Sequence, residues 1–225
     1  MAFKERKFNE PTYQDEQIEE NSLILISCEG KVTEPEYFEA LKRKLGKKIG
    51  SIIYVDVIPN LGRGANPQDV LSNLENHIHN VYQFREKFDS LWLVIDREKV
   101  EDRKNHLLAI HPECENKGYR IALSNPTFEL WLLMHVAELN DYCEDTLFEN
   151  AWATPAKNKR FMEKQLSEIL GGYSKKSGQF PVRILNNQNL NNAIKQHPQF
   201  NKPFATLLDE LGTNVGEIVT ELLNN

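Results

Sequence analysis

The sequence predicts an α/β protein in which a parallel β-sheet is flanked by helices and followed by a helical C-terminal part. Short apolar runs at residues 23–28, 52–58, 90–95 and 119–123 have the nearly unbroken hydrophobic character of strands that are covered on both faces. Segments with helical periodicity separate these runs. Strands that alternate with helices in this way form parallel sheets through right-handed crossovers.

Polar residues mark where several of the predicted helices begin. The dipeptide Asn66-Pro67 is a typical start for the helix between the second and third strands. Thr33 and Glu36 have the spacing of a capping box for the helix after the first strand, and Asn214 and Glu217 have it for the last helix.

Beyond about residue 140 the strand pattern stops and only helical periodicity remains. Helices are predicted there at 155–170, 188–197 and 214–223. We therefore expect a flexible N-terminal arm at residues 1–21, a catalytic-type core at 22–140 and a helical extension at 141–225 that packs on the core.

Composition limits the kind of protein this chain encodes. Its 225 residues carry a formal net charge of −6, which argues against a protein that coats nucleic acid non-specifically, because that mode needs a broad cationic surface. A nucleic-acid enzyme remains allowed, since carboxylates that hold divalent metals also count as negative charge.

Cysteine usage and hydropathy favour a cytoplasmic location. Cys28, Cys114 and Cys143 form no C-x-x-C pair, so a disulfide framework or a zinc knuckle is not indicated. We find no signal peptide at the N-terminus and no segment that approaches the roughly 20 apolar residues of a membrane helix.

Acidic residues follow three of the predicted strands. Glu29 comes after the first strand, Asp96 and Glu98 come after the third, and Glu129 begins the helix after the fourth. Ligands of open parallel sheets bind at the carboxyl ends of the strands, so we expect these side chains to converge. An all-oxygen set of this kind suits Mg²⁺ or Mn²⁺, which promote phosphodiester cleavage.

Each acid also has a purely structural interpretation. Glu29 could begin a turn before Gly30, Glu98 could be a solvated charge, and Glu129 could be a helix-start carboxylate favoured by the helix dipole. Glu34 is a weaker candidate because first-turn glutamates are common in helices. Their joint placement at one edge of the sheet favours a functional role for Glu29 and Asp96.

Three segments resemble motifs of the RloB-like protein family. Residues 26–38 resemble the opening E-G-x-x-T-E-P-x-Y-F signature of that family, and residues 92–98 resemble its second acidic motif. Residues 123–133 resemble its S-N-P-x-F-E-x-W-L-L block. The motifs occur in the family's order and at the predicted ends of strands.

The resemblance implies a Toprim-like catalytic core that binds magnesium and serves in defence against phage, often beside an ABC-type or AAA-type ATPase. It places Glu29 as the general acid/base glutamate and a metal ligand, and Asp96 as the first metal aspartate. Where many relatives have a second aspartate, this chain has Glu98, which keeps the charge on a longer side chain.

Basic and polar residues complete the predicted site. Lys175, after the pair of glycines at 171–172, is the candidate catalytic lysine that reaches a scissile phosphate, and Glu129 is expected to assist. Arg63, Asn125 and Lys176 are the candidate substrate-binding residues. As an alternative, Arg63 lies in a solvated turn.

The sequence thus predicts a Mg²⁺- or Mn²⁺-dependent phosphodiesterase that acts on RNA or DNA. Its expected partners are the nucleic acid and an ATPase, with no membrane, and a homo-oligomer is possible. The main rival is a catalytically silent interaction module that regulates the ATPase. A third candidate, a nucleotide-sensing phosphotransfer domain, would need a base-binding pocket that the sequence does not reveal. No G-x-S-x-G, P-loop or G-x-G-x-x-G motif supports a serine hydrolase, an NTPase or a dinucleotide enzyme.

Overall fold

The structure is a computed structural model that describes residues 22–46, 53–60, 66–81, 85, 89–153, 158–175 and 180–224. The arm predicted at residues 1–21 lies outside the described residues, as do Arg63 and Lys176.

Strands and helices alternate through the first half of the chain, and helices dominate the second. In chain order the elements are β1 (Ser22–Cys28), α1 (Thr33–Leu45), β2 (Ile53–Ile58), α2 (Pro67–Val81), β3 (Ser90–Asp96), α3 (Glu101–Asn116), β4 (Arg120–Asn125), α4 (Glu129–Val136), a 3-10 turn (Leu139–Asp141), α5 (Glu144–Glu149), α6 (Phe161–Ile169), a second 3-10 turn (Val182–Leu185), α7 (Asn187–Phe200), α8 (Phe204–Leu207), β5 (Gly212–Thr213) and α9 (Val215–Asn224).

The five strands form one open sheet in the order β2-β1-β3-β4-β5. The first four are parallel, and β5 pairs antiparallel with β4. From β1 the chain forms β2 next to one edge of β1, and it then forms β3 next to the opposite edge of β1, with β4 beyond β3. The strand order therefore reverses between β1 and β3, and ligand sites of such sheets lie at the carboxyl ends of the two strands where this reversal occurs.

Side chains of the central strands alternate between two hydrophobic clusters on opposite faces of the sheet. Ile24, Ile26 and Trp92 point to the face that carries α1, α4, α6, α7 and α9. Leu25 and Leu93 point to the face that carries α2, α3 and α8. Because both faces are covered, the strands are apolar on both sides, and this explains the unbroken runs in the sequence.

The predicted fold class is confirmed: the chain has an α/β fold with a mostly parallel open sheet flanked by helices, and it is Toprim-like. The helix start at Asn66-Pro67 is also confirmed, because the side chain of Asn66 accepts a hydrogen bond of 2.9 Å from Asp69 N. The larger of the two hydrophobic clusters continues across residue 140, and the division of the chain there stays a prediction.

Both predicted capping boxes are wrong. The N-cap of α1 is Val32, which has no polar side-chain atom to cap the helix, and not Thr33. The carboxylate of Glu36 accepts a hydrogen bond from Phe180 N at 2.8 Å. The side chain of Asn214 bonds to the backbone of Leu123 and Ile121, so it extends the edge of β4 instead of capping α9.

The second half of the chain differs from the prediction in two places. Strand β5 was not expected, because two residues are too few to show an alternating pattern. The helix predicted at 155–170 begins only at Phe161, since Arg160 is paired with Trp152 in a short β-bridge. Within the described part of the chain, no helix is both long and apolar enough to cross a membrane.

Candidate functional site

Four buried carboxylates meet at the carboxyl ends of β1 and β3, where the strand order reverses. Glu29 follows β1, Asp96 ends β3, Glu34 lies in the first turn of α1 and Glu129 begins α4. Each of the four is at most 9% exposed. We call them the carboxylate cluster. The predicted convergence of Glu29, Asp96 and Glu129 is present in the structure.

Arg103, from α3, ties two members of the cluster together. Its guanidinium forms an ion pair with the Glu29 carboxylate, and its Nε donates to the carbonyl oxygen of Asp96 at 2.9 Å. The other oxygen of Glu29 accepts a hydrogen bond from Asp96 N at 3.0 Å. Glu29 and Arg103 therefore hold the backbone of β3 where it delivers Asp96 to the site.

Lys175 contributes an ammonium group between two other carboxylates. Its Nζ lies 3.4 Å from Asp96 Oδ2 and 3.4 Å from Glu129 Oε2. The second oxygen of Asp96 accepts a hydrogen bond from Phe128 N at 2.8 Å, and that of Glu129 accepts one from Tyr173 at 3.1 Å. The lysine predicted from the sequence thus lies beside two members of the cluster.

Glu34 is the least satisfied of the four acids. Its Oε2 is buried and has no hydrogen-bond partner among the residues that the structure describes. The carboxylate packs so closely over Gly30 that a Cβ at that position would overlap it. A glycine after Glu29 therefore makes room for the Glu34 side chain, and an orphaned acidic oxygen is left inside the site.

Burial and mutual repulsion raise the pKa of three of these groups. Desolvation is the largest cause in each case. It raises the pKa of Glu29 to about 7, with a further contribution from the charge of Asp96. The pKa of Glu34 also rises to about 7, although Lys175 opposes the shift, and that of Asp96 rises to about 8 with help from Glu34 and Glu129.

Glu129 behaves differently from the other three acids. Burial acts to raise its pKa, but the Lys175 ammonium and hydrogen bonds from Thr127 and Tyr173 outweigh that effect, so the pKa is lowered. The pKa of Lys175 is raised because the attraction of Glu129, Asp96 and Glu34 exceeds the cost of its own burial. Glu129 and Lys175 are therefore a stable ion pair at neutral pH.

The cluster contains four acids against the two cations Arg103 and Lys175. If all six groups were ionised, the site would carry an excess of two negative charges, which matches the charge of one divalent cation. Within the described residues, no three Asp, Glu, His or Cys side chains are already arranged around a metal position. The donors fit a hard cation in their chemistry, and the Lys175 ammonium now lies between two of them.

Two other predicted site residues lie outside the cluster. Glu98 is exposed and has a positive φ of 39°, at the rim of a cavity beside the site. Its charge contributes to the raised pKa of Asp96, but its metal role stays a prediction. Asn125 is buried and donates to Leu207 O at 2.7 Å, so its only described side-chain bond is structural.

Sequence reasoning missed Arg103 and Tyr173 and undervalued Glu34. Arg103 lies within a charged helix, and Tyr173 follows two glycines, so neither position carries a pattern that separates it from surface residues. Glu34 belongs to the E-G-x-x-T-E-P segment, and its place in the same motif as Glu29, five residues further on, was the available indication.

His135 and Cys28 are core residues. His135 bonds to Trp131 O at 2.9 Å and to the Tyr37 hydroxyl at 3.2 Å, and burial lowers its pKa to about 4. Burial raises the pKa of the Cys28 thiol well above its usual value, which keeps it in the unreactive form.

The fold and the cluster define the class: a Toprim-like α/β protein with an acidic site where the strand order of its sheet reverses. The family model of the RloB-like proteins matches residues 24–222, and the chain belongs to this family. Comparison with curated proteins and with solved structures gave no significant match.

Proposed function

We propose that this protein is a metal-dependent phosphodiesterase that cleaves RNA or DNA at the carboxylate cluster. The observation that supports the proposal best is the set of four buried acids at the switch in strand order, which outnumber the two cationic side chains that pair with them among the described residues. Such a concentration of buried charge is costly for the fold, and functional sites are where proteins retain it.

Asp96, Glu129 and Glu34 would hold a Mg²⁺ or Mn²⁺ ion. Asp96 Oδ2 and Glu129 Oε2 both face the Lys175 ammonium. Glu34, whose charge interacts with Lys175 and Glu129, has an Oε2 without a hydrogen-bond partner among the described residues. The ion would supply Lewis-acid stabilisation of the charge that develops on a phosphoryl group. Glu98, at the rim, stays a predicted further ligand.

Glu29 and Lys175 would act on the proton and on the phosphate. A pKa of about 7 allows Glu29 to accept or release a proton near neutral pH, which is the range that general acid/base catalysis requires. The Lys175 ammonium lies at the end of a flexible side chain. It could therefore turn from the carboxylates to a phosphate that enters the site and bind it.

The biological setting that we propose follows from the family. Resemblance to RloB-like proteins suggests a cytoplasmic effector of antiphage defence that works with an ABC-type or AAA-type ATPase. Identification of the neighbouring gene as such an ATPase would support a triggered effector over a housekeeping enzyme.

The direct test is a cleavage assay. Purified protein with Mg²⁺ or Mn²⁺ should cut single-stranded RNA or DNA, and EDTA should stop the reaction. The ATPase is added in a parallel reaction in case the effector acts only in the complex. Absence of metal-dependent cleavage in both reactions would contradict the proposal.

Metal affinity should depend steeply on pH. Glu34 and Asp96, whose pKa values are about 7 and about 8, must lose their protons before they can bind a cation. Affinity for Mn²⁺ should therefore rise by about tenfold or more per pH unit between about pH 6 and about pH 8 and then level off. Calorimetric titration at several pH values measures this, and a constant affinity over that range would argue that ordinary surface carboxylates bind the ion.

One observation favours the rival function of a silent interaction module. Lys175 already pairs with Asp96 and Glu129, so the site is partly neutralised without a metal. A module of this kind has no need to bind Mn²⁺ through these acids, and the same titration therefore separates the two functions.

A further inference from the structure

Trp152 is an exposed aromatic side chain on a backbone segment that is paired in a β-bridge. It is 47% exposed, whereas Trp92 and Trp131 are buried. A β-bridge joins its backbone to Arg160, and hydrogen bonds on either side of it, from Ala153 N to Lys159 O and from Phe161 N to Ala151 O, fix this bridge. The exposed ring therefore projects from a backbone segment whose position is set by hydrogen bonds.

The Arg160 guanidinium lies over the Trp152 ring. Its guanidinium carbon is 4.6 Å from the centre of the Trp152 ring, and one nitrogen donates weakly to Asn150 O at 3.4 Å. Within the described residues Arg160 forms no ion pair with a carboxylate, unlike the neighbouring Lys99, which pairs with Glu149 at 2.8 Å. Stacked arginine and tryptophan with a free guanidinium edge are suited to a phosphate next to an aromatic base.

Two cavities flank this pair. One, of about 170 Å³, has a lining that includes Arg160, Asn150, Thr127 and Glu98. The second, of about 300 Å³, is mostly apolar, and its lining includes Trp152 and Phe161 together with the acidic residues Asp145 and Glu149. The second cavity has the size and apolar lining of a small-ligand site.

The first cavity lies between Arg160, which contacts Trp152, and Thr127, which is bonded to a member of the carboxylate cluster. Thr127 bonds to Glu129 and is adjacent to Phe128, whose backbone N–H holds Asp96. Pro126 O accepts a hydrogen bond from Glu98 N at 3.0 Å. A chain of nucleotides that leaves the cluster over Thr127 would reach Arg160 next and then Trp152.

We propose that Trp152 and Arg160 form a subsite for an unpaired nucleotide that flanks the scissile phosphate, so that the substrate is single-stranded nucleic acid. The inference rests on the proposed phosphodiesterase function and names its substrate class. The base stacks in the apolar cavity on Trp152, and Arg160 contacts the adjoining phosphate. Asp145 and Glu149, which carry only hydrogen-bond acceptors, favour bases with exocyclic amino groups at the cavity edge. A paired base cannot enter, because both of its faces are already stacked.

Intrinsic fluorescence tests the subsite without any catalysis. Among the three tryptophans only Trp152 is exposed, so quenching by a bound base reports on this residue. The full-length protein in EDTA is titrated with labelled oligonucleotides of about ten nucleotides, in RNA and DNA form, and with the matching duplexes. We expect quenching and anisotropy to saturate together with the single strands, and quenching to be absent with the duplexes.

Variants separate the subsite from general charge attraction. Trp152→Ala should weaken single-strand binding by about fivefold to a hundredfold, and Trp152→Phe should retain most of the affinity because it keeps an aromatic face. Arg160→Gln should weaken binding and reduce its salt dependence. Arg43→Gln on α1 and Val182→Ala, which also remove an exposed charge and an exposed apolar side chain, should bind like the parent protein.

The outcomes also separate this inference from the proposed function. Equal binding by Trp152→Ala and the parent, binding without quenching, tight binding of duplexes with equal quenching, or no binding of any oligonucleotide would each overturn the subsite. Metal-dependent cleavage that is insensitive to Trp152 would overturn the subsite alone. Binding that depends on Trp152, without metal-dependent cleavage, would support the subsite and reject the enzyme.

Discussion

Replacement of Asp96 by Asn should lower the rate of metal-dependent cleavage by at least about a hundredfold. Asp96 is the one member of the carboxylate cluster that contacts the Lys175 ammonium, accepts a hydrogen bond from Arg103 at its carbonyl oxygen and accepts another from the backbone N–H of Phe128, just before α4. The amide keeps the oxygen that accepts from Phe128 N, so the fold is retained. It removes the negative charge that a cation needs.

The same substitution should stabilise the metal-free protein at about pH 8. Burial raises the pKa of Asp96 from 3.8 to about 8, so the folded state favours the neutral carboxyl, which the amide imitates. The folded state of the parent protein keeps its full stability below about pH 4, where Asp96 is protonated in both the folded and the unfolded state. This stability decreases as the pH rises from about 4 through about 8, because the unfolded state ionises Asp96 more readily. The gain in the variant should therefore be small at about pH 4 and increase toward about pH 8, as thermal unfolding in EDTA would show.

Asp102→Asn is the matched control for both measurements. Asp102 lies six positions further along the chain, is exposed on α3 and undergoes the same chemical change. It should leave cleavage and unfolding close to those of the parent protein. If Asp96→Asn cleaved as fast as the parent, Asp96 would not belong to the reaction centre.

Arg103→Met should cause the second large effect, a loss of about 3–5 kcal/mol of unfolding free energy above about pH 7. The guanidinium is almost fully buried, and its removal leaves the Glu29 carboxylate without its ion-pair partner and the Asp96 carbonyl without a donor. Glu29, with a pKa of about 7, takes up a proton at lower pH, so the loss should shrink toward about pH 5. Urea unfolding at both pH values gives the comparison.

Two further variants test whether that loss of stability comes from the buried pair of Arg103 and Glu29. Arg103→Met combined with Glu29→Gln removes both charges of the pair and should recover much of the lost stability, because neither partner is then left as a buried charge without the other. Arg43→Met removes an exposed arginine that lies 3.9 Å from Glu39 and should change stability by less than about 0.5 kcal/mol. Equal effects of Arg103→Met and Arg43→Met would show that the buried pair contributes little.

The fold was predictable because its strands are covered on both faces. Residues 91–95, for example, are apolar without interruption, and this pattern is typical of central parallel strands. The edge strand β5 was not predictable, since it consists of two residues whose pairing depends on hydrogen bonds that residues distant in sequence form, such as Ser124 with Thr213.

The candidate site was predictable only where it is attached to strand ends. Glu29 and Asp96 follow apolar runs, so topology alone brings them together. Arg103 and Tyr173 reach the cluster from a surface helix and from a turn after two glycines, and their roles arise from the packing of α3 and of the C-terminal part on the sheet. Glu98 also follows a strand, but its φ is positive and its side chain is exposed, so it lies outside the carboxylate cluster.

Crystals of the protein grown with Mn²⁺ at about pH 8, where Asp96 and Glu34 can ionise, test the central claim most directly. We expect one anomalous scattering peak bounded by oxygens of Asp96, Glu129 and Glu34, with Lys175 moved away from the place it now holds between the first two. Crystals that show no manganese at the cluster, with the Lys175 ammonium still between Asp96 and Glu129, would contradict the account.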